Sequence, residues 1–160
     1  MAIDMFLKID GVKGESKDKA HPGEIGVLAW SFGESNSGSA GAAGGGGAGK
    51  VSVQDLSLTK YVDKSSPSLM LSCCNGKHLP TAKLTLRTAG EHPLEFLTFE
   101  MTDVLVSAVS TGGSGGEDQL TENLTLSFAK FKYTYTPQKA DGSADVAVSM
   151  GWDILRNVSA

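Results

Sequence analysis

The sequence predicts a mostly β fold, a compact barrel or sandwich with one helix. Three observations support this prediction. Apolar and polar residues alternate in eight or so short stretches, glycine, proline and serine separate those stretches, and one stretch carries both a helix start and a helix stop. The 160 residues are expected to form one domain, residues 1–160, which is long enough to bury an ordinary hydrophobic core.

The first two strands are predicted at residues 5–9 and 25–32, where apolar residues alternate with polar ones. The second strand has three large residues at even positions that are expected to face the core: Leu28, Trp30 and Phe32. Successive side chains of a strand point to opposite faces. Ala29 and Ser31 are therefore expected on the face that points away from the core.

The third strand is predicted at residues 51–61. Its apolar residues change from odd positions, such as Val53, to even positions, such as Leu56. A change of parity within one strand indicates an extra residue on one side of the ladder. We therefore expect a β-bulge near residues 54–55.

One helix is well defined by its ends. Ser65 or Ser66 can cap it, Pro67 suits its first turn, and Asn75-Gly76 provides a left-handed stop. Three residues of this stretch share a side that can lie on a core: Leu69, Met70 and Cys73. The helix is therefore expected to pack beside the sheet.

Five further strands are predicted after the helix, at residues 81–89, 94–101, 104–110, 124–135 and 146–154. Within residues 124–135 the apolar residues move from even to odd positions after Phe128, which indicates a second bulge. Many short strands, repeated bulges and one helix are typical of a small barrel or sandwich.

A glycine-rich arm at about residues 34–50 separates the second and third strands. Part of it reads GGGGAGKVS and resembles the phosphate-binding motif G-x-x-x-x-G-K-[ST], with Gly44, Gly49 and Lys50 in register. Val51, however, stands where the motif needs a hydroxyl, and a strand rather than a helix is predicted after it. The arm is therefore not expected to bind a nucleotide, and no cofactor is indicated.

Composition and charge exclude several classes of protein. The formal net charge of −4 argues against binding to nucleic acid, because such proteins concentrate positive charge. No apolar run reaches the length of a membrane span, so membrane insertion is not expected. The first residues, MAIDMFLKID, do not read as a secretory signal. We expect folding in the cytoplasm, followed, if the protein is exported, by a route that needs no cleaved signal.

No catalytic or metal site is predicted. Cys73, Cys74 and His78 lack both a fourth ligand and the usual cysteine spacing of a zinc site, and adjacent thiols are expected to stay reduced. His21 and His92 each precede a proline in a polar loop, where exposure is expected. The sequence therefore does not indicate an enzyme.

Two further motifs have a structural interpretation. Glu117-Asp118 follows a glycine-rich turn and reads as a solvated loop rather than an acid pair. KFKYTY, residues 130–135, interleaves basic and aromatic residues as a binder of single-stranded nucleic acid does. The same alternation is expected of an ordinary strand whose aromatic side chains point inward and whose lysines point outward.

Several stretches, taken together, resemble the haemolysin-coregulated protein (Hcp) family. They include MFLKIDGVKGESKDK, VLAWSFG, GGGGAGKVSVQDLSLTKYVDKSSP, GKHLPTAKL, VLVSAVSTGGSGGEDQLTENLTL and YTPQKADGS followed by GWDI, in order along the chain. The resemblance implies a partly open β-barrel of two packed antiparallel sheets with one α-helix alongside. Departures at Cys73-Cys74, at the EHPLEFLTFE strand and in the exact length of the glycine run affect loop contacts rather than the fold.

The resemblance also implies a function. Members of the family form the inner tube of the type VI secretion system as hexameric rings stacked inside a contractile sheath. The tube and the VgrG spike are driven into a target cell, and small effector proteins can be carried and chaperoned in the lumen. The implied role is that of a secreted structural subunit. A soluble ring that mainly binds effectors is the alternative.

Two sets of residues are candidates for these roles. Ser31 and Ala29 are expected to face the lumen and contact cargo, because a wall that lets cargo slide should be small and weakly polar, although the same face could meet bulk solvent or a neighbouring subunit. The ring-stacking arm is expected to use Gly44, Gly45, Gly46, Gly47, Gly49 and Lys50, since glycine allows backbones to approach closely.

Overall fold

The computed structural model describes residues 2–37 and 49–160. The strands are β1 Ile3–Ile9, β2 Ile25–Ser31, β3 Glu34–Ser35, β4 Ser52–Val53, β5 Leu56–Tyr61, β6 His78–Thr88, β7 Glu95–Thr111, β8 Thr121–Tyr135, β9 Val148–Asp153 and β10 Val158–Ser159. The helix α1 spans Ser66–Asn75. None of the described residues forms a helix long and apolar enough to cross a membrane.

Six antiparallel strands close into a barrel in the order β1, β2, β5, β8, β7, β6, with β6 returning to β1. The β1–β2 pair is the weakest part of this circuit, because its register includes only Phe6 opposite Gly26 and Leu7 opposite Ile25. Strands β9 and β10 extend the sheet beyond β8, and β3 and β4 form a separate two-stranded sheet. The predicted mostly β fold, an antiparallel barrel with one helix alongside, is confirmed.

Strand β8 belongs to the barrel along one half and to the extension along the other. Residues 121–126 pair with β5, whereas residues 130–135 pair with β9. The inward-facing positions change parity after Phe128, as predicted, but without a register shift against β7 at that level. Asp103 lies opposite this point in β7 and has a left-handed backbone with φ 55°.

The predicted strands at residues 94–101 and 104–110 form one strand, β7. Asp103 interrupts the alternation of β7 without ending it, so that the buried positions pass from Met101 to Val104. A register shift in β7 lies further on, between Val106 and Ala108. The two sequence patterns were separated by a bend within one strand rather than by a turn.

The predicted third strand is interrupted rather than bulged. Ser52–Val53 pairs with Glu34–Ser35, whereas Leu56–Tyr61 pairs with β2 and β8 in the barrel. Residues 54–55 connect the two segments, and the backbone N–H of Gln54 donates to Gly33 O at 2.9 Å. The parity change in the sequence therefore marks the point where the chain moves from one sheet to the other.

The assignment of Leu28 to the core was wrong. The register of β2 against β5 shifts between Val27 and Ala29, so one extra residue separates the two halves of the strand. Leu28 is 40% exposed, whereas Val27 is buried and Trp30 packs against the core. Before the bulge the odd-numbered residues of β2 face the core, as Val27 does, and after it the even-numbered residues do, as Trp30 does. The sequence shows the same change, because the apolar residues pass from odd to even positions.

Helix α1 begins and ends where its signals predict. Pro67 lies in the first turn, and Gly76 ends the helix with φ 64°. Ser65 is the N-cap residue, but its hydroxyl bonds to Asp63 and makes no capping bond to the helix. Leu69 is fully buried and Cys73 packs against the core.

The helix prediction for Met70 was wrong, because this side chain is 37% exposed. It lies next to Leu69 in the sequence, one helical step of about 100° around the axis. A helix lying on a sheet buries only a stripe of its surface. Leu69 occupies that stripe and Met70 is turned out of it.

Candidate functional site

A neutral outward face covers adjoining parts of β2, β5, β8 and β7. Its side chains are small and uncharged, and most of them are exposed. We define the neutral face by its members, which are Ala29, Ser31, Ser57, Thr59, Ala108, Ser110, Asn123 and Thr125. A shallow groove of about 430 Å³ runs along the part formed by β2, β5 and β8.

Strand register brings the neutral face together in two rows. In one row Ser31 lies opposite Ser57, which lies opposite Thr125. In the other, Thr59 lies between Ala29 and Asn123, and the Thr59 hydroxyl donates to Asn123 Oδ1 at 2.9 Å. The neutral face is therefore a continuous polar surface without large side chains.

The structure places Ala29 and Ser31 on the outward side of β2, both exposed. They lie side by side with hydroxyl-bearing residues of β5 rather than with charged ones. Sequence reasoning found these two residues and missed their partners on β5, β7 and β8, which share their outward parity once the strand order is known.

The arm is held together at its base by β3 and β4. The side chain of Asn36 donates to Gly49 O at 2.6 Å. A Cβ on Gly49 would lie 3.0 Å from Ser37 O and 2.6 Å from Ser37 Oγ, so no larger residue fits there without movement. Lys50 is exposed. The remaining arm candidates, Gly44, Gly45, Gly46 and Gly47, lie outside the described residues.

An apolar ribbon extends from the barrel along β8 and β9. It is formed by Tyr135 of β8, Val148 and Met150 of β9, and Val146 two residues before β9. Tyr135 lies directly opposite Val148, and Val146 and Val148 are 78% and 67% exposed. The residues nearer the barrel, such as Trp152, pack against the core instead. The last strand, predicted at residues 146–154, spans Val148–Asp153, and the part of its apolar face at Val148 and Met150 is not buried within this chain.

A groove of about 340 Å³ adjoins the ribbon. Met150 of the ribbon lines it together with Trp30, Phe32 and Tyr133, which are half-buried. A second exposed apolar surface lies on helix α1, where Leu71 is 63% exposed and Met70 is beside it. Two different apolar surfaces on one chain are what a head-to-tail contact between copies needs.

A buried polar cluster lies beneath the start of α1. Lys60 Nζ forms an ion pair with Glu122 Oε1 and donates to Ser66 Oγ at 3.2 Å. The Ser66 hydroxyl donates to the same Glu122 oxygen at 2.6 Å, and Asp63 Oδ1 lies 3.2 Å from Lys60 Nζ. Glu122 Oε2 has no hydrogen-bond partner among the described residues. The cluster joins β5, β8 and α1.

Sequence reasoning missed this ion pair, although the signal was present. In β5 the even-numbered residues face the core, so Lys60 lies inside together with Leu56 and Leu58. In β8 the same holds for Glu122 and Leu124. Charged residues at inward positions of neighbouring strands are expected to pair, because an isolated buried charge is costly.

The prediction that His21 is exposed was wrong, whereas His92 is exposed as expected. His21 Nδ1 lies 2.9 Å from Glu24 Oε2, and Nε2 lies 2.7 Å from Glu95 Oε1. Its ring stacks on Phe6 with the centroids 4.4 Å apart. Each ring nitrogen of His21 thus has a glutamate oxygen within hydrogen-bonding distance. His21 therefore connects the loop before β2 to β1 through Phe6 and to β7 through Glu95.

Arg87 fastens the same loop at a second point. Its guanidinium bonds to both carboxylate oxygens of Asp18 and lies 4.8 Å from the centre of the Phe6 ring. The hydrogen bond from Arg87 is the main reason that the pKa of Asp18 falls from 3.8 to about 2. The same bond raises the pKa of Arg87 further above its already high value.

The other candidate residues are not assembled into a site. Cys73 and Cys74 are free thiols, the first partly buried and the second exposed. His78 is exposed and lies 2.7 Å from Asp103 Oδ1. Over residues 2–37 and 49–160, no three His, Cys, Asp or Glu side chains are placed to hold a metal ion.

The family model described as "Type VI secretion system effector, Hcp" matches residues 6–135. The chain belongs to the Hcp family. This match runs from the middle of β1 to the end of β8 and so includes at least part of every strand of the barrel.

Individual Hcp proteins agree with this assignment. Protein hcp1 of Pseudomonas aeruginosa is 63% identical over 162 residues, covering 100% of both chains. The crystal structure of Hcp1 from Salmonella typhimurium covers 100% of both chains at 36% identity and a TM-score of 0.80. A solved structure of a type six secretion system protein covers 99% of this chain and 100% of its own, at 29% identity and a TM-score of 0.93.

Proposed function

We propose that this Hcp chain is the structural subunit of a type VI secretion inner tube, which assembles into hexameric rings. The observation that carries the proposal is the apolar ribbon, whose valines remain about two-thirds or more exposed in the isolated chain. A contiguous exposed apolar surface of this kind normally contacts another protein. The ribbon and the helix surface at Leu71 differ, so contact between them is head-to-tail, which excludes a twofold dimer and gives a ring when the rotation between copies closes.

Ring closure also protects strand edges. β10 and β9 end the sheet on one side, and β9 pairs with β10 over only two residue pairs. Unpaired edges invite uncontrolled association, and a symmetric closed assembly covers them. Electron microscopy of the purified protein tests this proposal directly. Closed rings, alone or stacked end to end, are expected, and a field of small particles without rings would overturn it.

A second function is favoured by the neutral face. Small hydroxyl and methyl groups provide weak contacts without a deep anchor, which suits a wall along which varied effector proteins travel. In this proposal the neutral face lines the lumen, and Ser31 and Ala29 contact cargo. Co-purification of one effector with isolated rings that do not stack favours effector binding as the main role. Stacked empty rings favour the tube.

The arm is proposed to contribute to stacking. Gly49 and Lys50 stand at the base of the arm, where β3 and β4 hold its two ends together. The glycine-rich segment between these paired ends suits contact with a neighbouring ring, because glycine has no side chain to keep two backbones apart. Shortening the glycine run is expected to weaken stacking more than it weakens the ring. Equal weakening of both would count against this role.

The proposed role requires no catalysis. Lys50 is followed by the two-residue strand β4 rather than by a helix, and Val51 offers no hydroxyl to a metal ion. In the tube proposal the chain contacts the spike and the contractile sheath and is released with the spike. A phosphate-release assay should show no ATP hydrolysis, and a rate that is lost in Lys50→Ala would overturn this part of the proposal.

A further inference from the structure

Four charged residues lie opposite one another in sequence across the outward face of β1, β6, β7 and β8. Lys8 lies opposite Lys83, Lys83 lies opposite Glu100, and Glu100 lies opposite Lys132. All four side chains are exposed and line one shallow groove of about 550 Å³. We call this set the charged row. It lies on different strand segments from the neutral face.

The charged row contains one like-charge pair beside the two complementary pairs that Glu100 makes with Lys83 and Lys132. Lys8 and Lys83 are directly opposite each other, and like charges in that position destabilise a strand pair. Asp4 and Arg87, four residue pairs earlier on the same strands, are complementary and form an ion pair. No member of the charged row makes an ion pair within 4.0 Å of another described residue. Its charges are therefore available to a partner.

We propose that the charged row binds an acidic α-helix of another protein, laid across the four strands. The complementary partner carries acidic residues facing Lys8, Lys83 and Lys132 and one basic residue facing Glu100. The proposal concerns an interaction surface and does not depend on ring formation.

The spacing of the four charged residues matches the spacing of side chains along one side of an α-helix. Neighbouring strands are about 4.8 Å apart, so the row spans about 14 Å. A helix rises about 1.5 Å per residue, so positions i, i+3, i+7 and i+10 on one side of it lie at about 0, 4.5, 10.5 and 15 Å. An extended segment presents one face every two residues, about 6.6 Å, and does not match the row.

A second copy of this chain does not supply the helix. The one helix of residues 2–37 and 49–160 is α1, whose sequence SPSLMLSCCN contains no charged residue. Nucleic acid is disfavoured as well, because Glu100 stands inside the row and the whole chain carries a net charge of −4. A polypeptide can match Glu100 with one lysine or arginine, whereas a polyphosphate cannot.

Two synthetic 15-residue alanine-based helices of identical composition provide the probe. The matched peptide carries Glu at i, i+3 and i+10 and Lys at i+7. In the isomer, Lys is at i and Glu at i+7. Fluorescence anisotropy with the full chain at about 50 mM salt should show the matched peptide binding at least about fivefold more tightly, with the difference shrinking at high salt. Equal binding of the two peptides would overturn the proposal, since it would show only general attraction.

Variants of the protein make the test specific. Lys83→Glu should weaken binding of the matched peptide at least about fivefold, whereas Lys17→Glu on an exposed loop should not. Glu100→Lys should lower the affinity for the matched peptide and raise it for the isomer, whose Glu at i+7 then meets a cation. A Glu100→Lys protein with an unchanged peptide preference refutes the assigned register.

Two other outcomes also refute the proposal. If Lys83→Glu changes the native mass of the protein, the row is a contact between subunits. If single-stranded oligodeoxythymidine binds as tightly as the matched peptide at the same salt, the row is a nucleic-acid surface. Circular dichroism and thermal melting of each variant confirm that the comparison is made on folded protein.

Discussion

Lys60 and Glu122 form an ion pair in which both side chains are fully buried, at 0% and 1% exposure. The pair joins β5 to β8, and Ser66 connects it to the first turn of α1. Three elements that meet at one end of the barrel are thus held by a charged contact rather than by apolar packing alone. The contact fixes which surface of the barrel the helix covers.

Removing one partner of this pair should be costly. Lys60→Met leaves the Glu122 carboxylate buried without its cation, and we expect a loss of about 3–5 kcal/mol in the free energy of unfolding, measured by urea denaturation. The double variant Lys60→Met/Glu122→Met should recover most of that loss, because the fully buried Glu122 carboxylate is removed together with its cation. A double variant as unstable as the single one would show that the ion pair is not the cause.

His21 should be important for the loop that precedes β2. In His21→Ala the stacking on Phe6 and both bonds to glutamates are lost, and we expect about 2 kcal/mol lower stability. Amide exchange should quicken at Gly14 and Gly23, whose N–H groups bond within this loop. His92→Ala is the matched control, since His92 also precedes a proline but is exposed. Similar behaviour of the two variants would contradict the fastening role.

The Asp18–Arg87 pair predicts a defined dependence of stability on acid. The pKa of Asp18 is about 2 in the folded chain against an ordinary value of 3.8, so the charged form favours folding. This stabilisation is complete above about pH 4 and disappears as the pH falls through about 2. Asp18→Asn should lack this component of acid destabilisation. Glu117→Gln in an exposed loop should keep it, and an identical acid profile for all three proteins would refute the assignment.

The apolar ribbon should be required for assembly and dispensable for the fold. Val148→Asp is expected to convert the assembled particle to smaller species in analytical ultracentrifugation, because a buried unpaired carboxylate opposes the contact. Its circular dichroism should not change, since Val148 is mostly exposed in the single chain. Ser149→Asp, next to it on the opposite face of β9, is the control. Assembly that survives Val148→Asp would exclude the ribbon from the interface.

The neutral face should control cargo rather than assembly. Ser31→Gln adds bulk to that face without touching the core, so the particle mass and melting temperature are expected to stay unchanged while retention of a bound effector falls. Ser114→Gln, in an exposed loop, is the matched control. Normal retention, or dissociation into monomers, would show that Ser31 has been assigned to the wrong surface.

Alternation along single strands predicted most of the barrel. It located the strands, and residue preferences located both ends of α1. The exposure of Leu28 and the bend at Asp103 were missed. A bulge or a left-handed residue changes which alternate positions of a strand face the core, and that change depends on pairing between distant strands. The neutral face, the charged row and the Lys60–Glu122 pair likewise depend on strand order, which sequence spacing does not contain. His21 was missed because Glu95, one of its partners, is 74 residues away.

The native mass of the purified protein is the most direct test of the central claim that this Hcp chain is a ring subunit. Light scattering coupled to size-exclusion chromatography should give a single species of about six times the 16.6 kDa of one chain, with larger species at higher concentration. A particle that remains at 16.6 kDa across the micromolar range would contradict the claim, because the apolar ribbon would then have no partner.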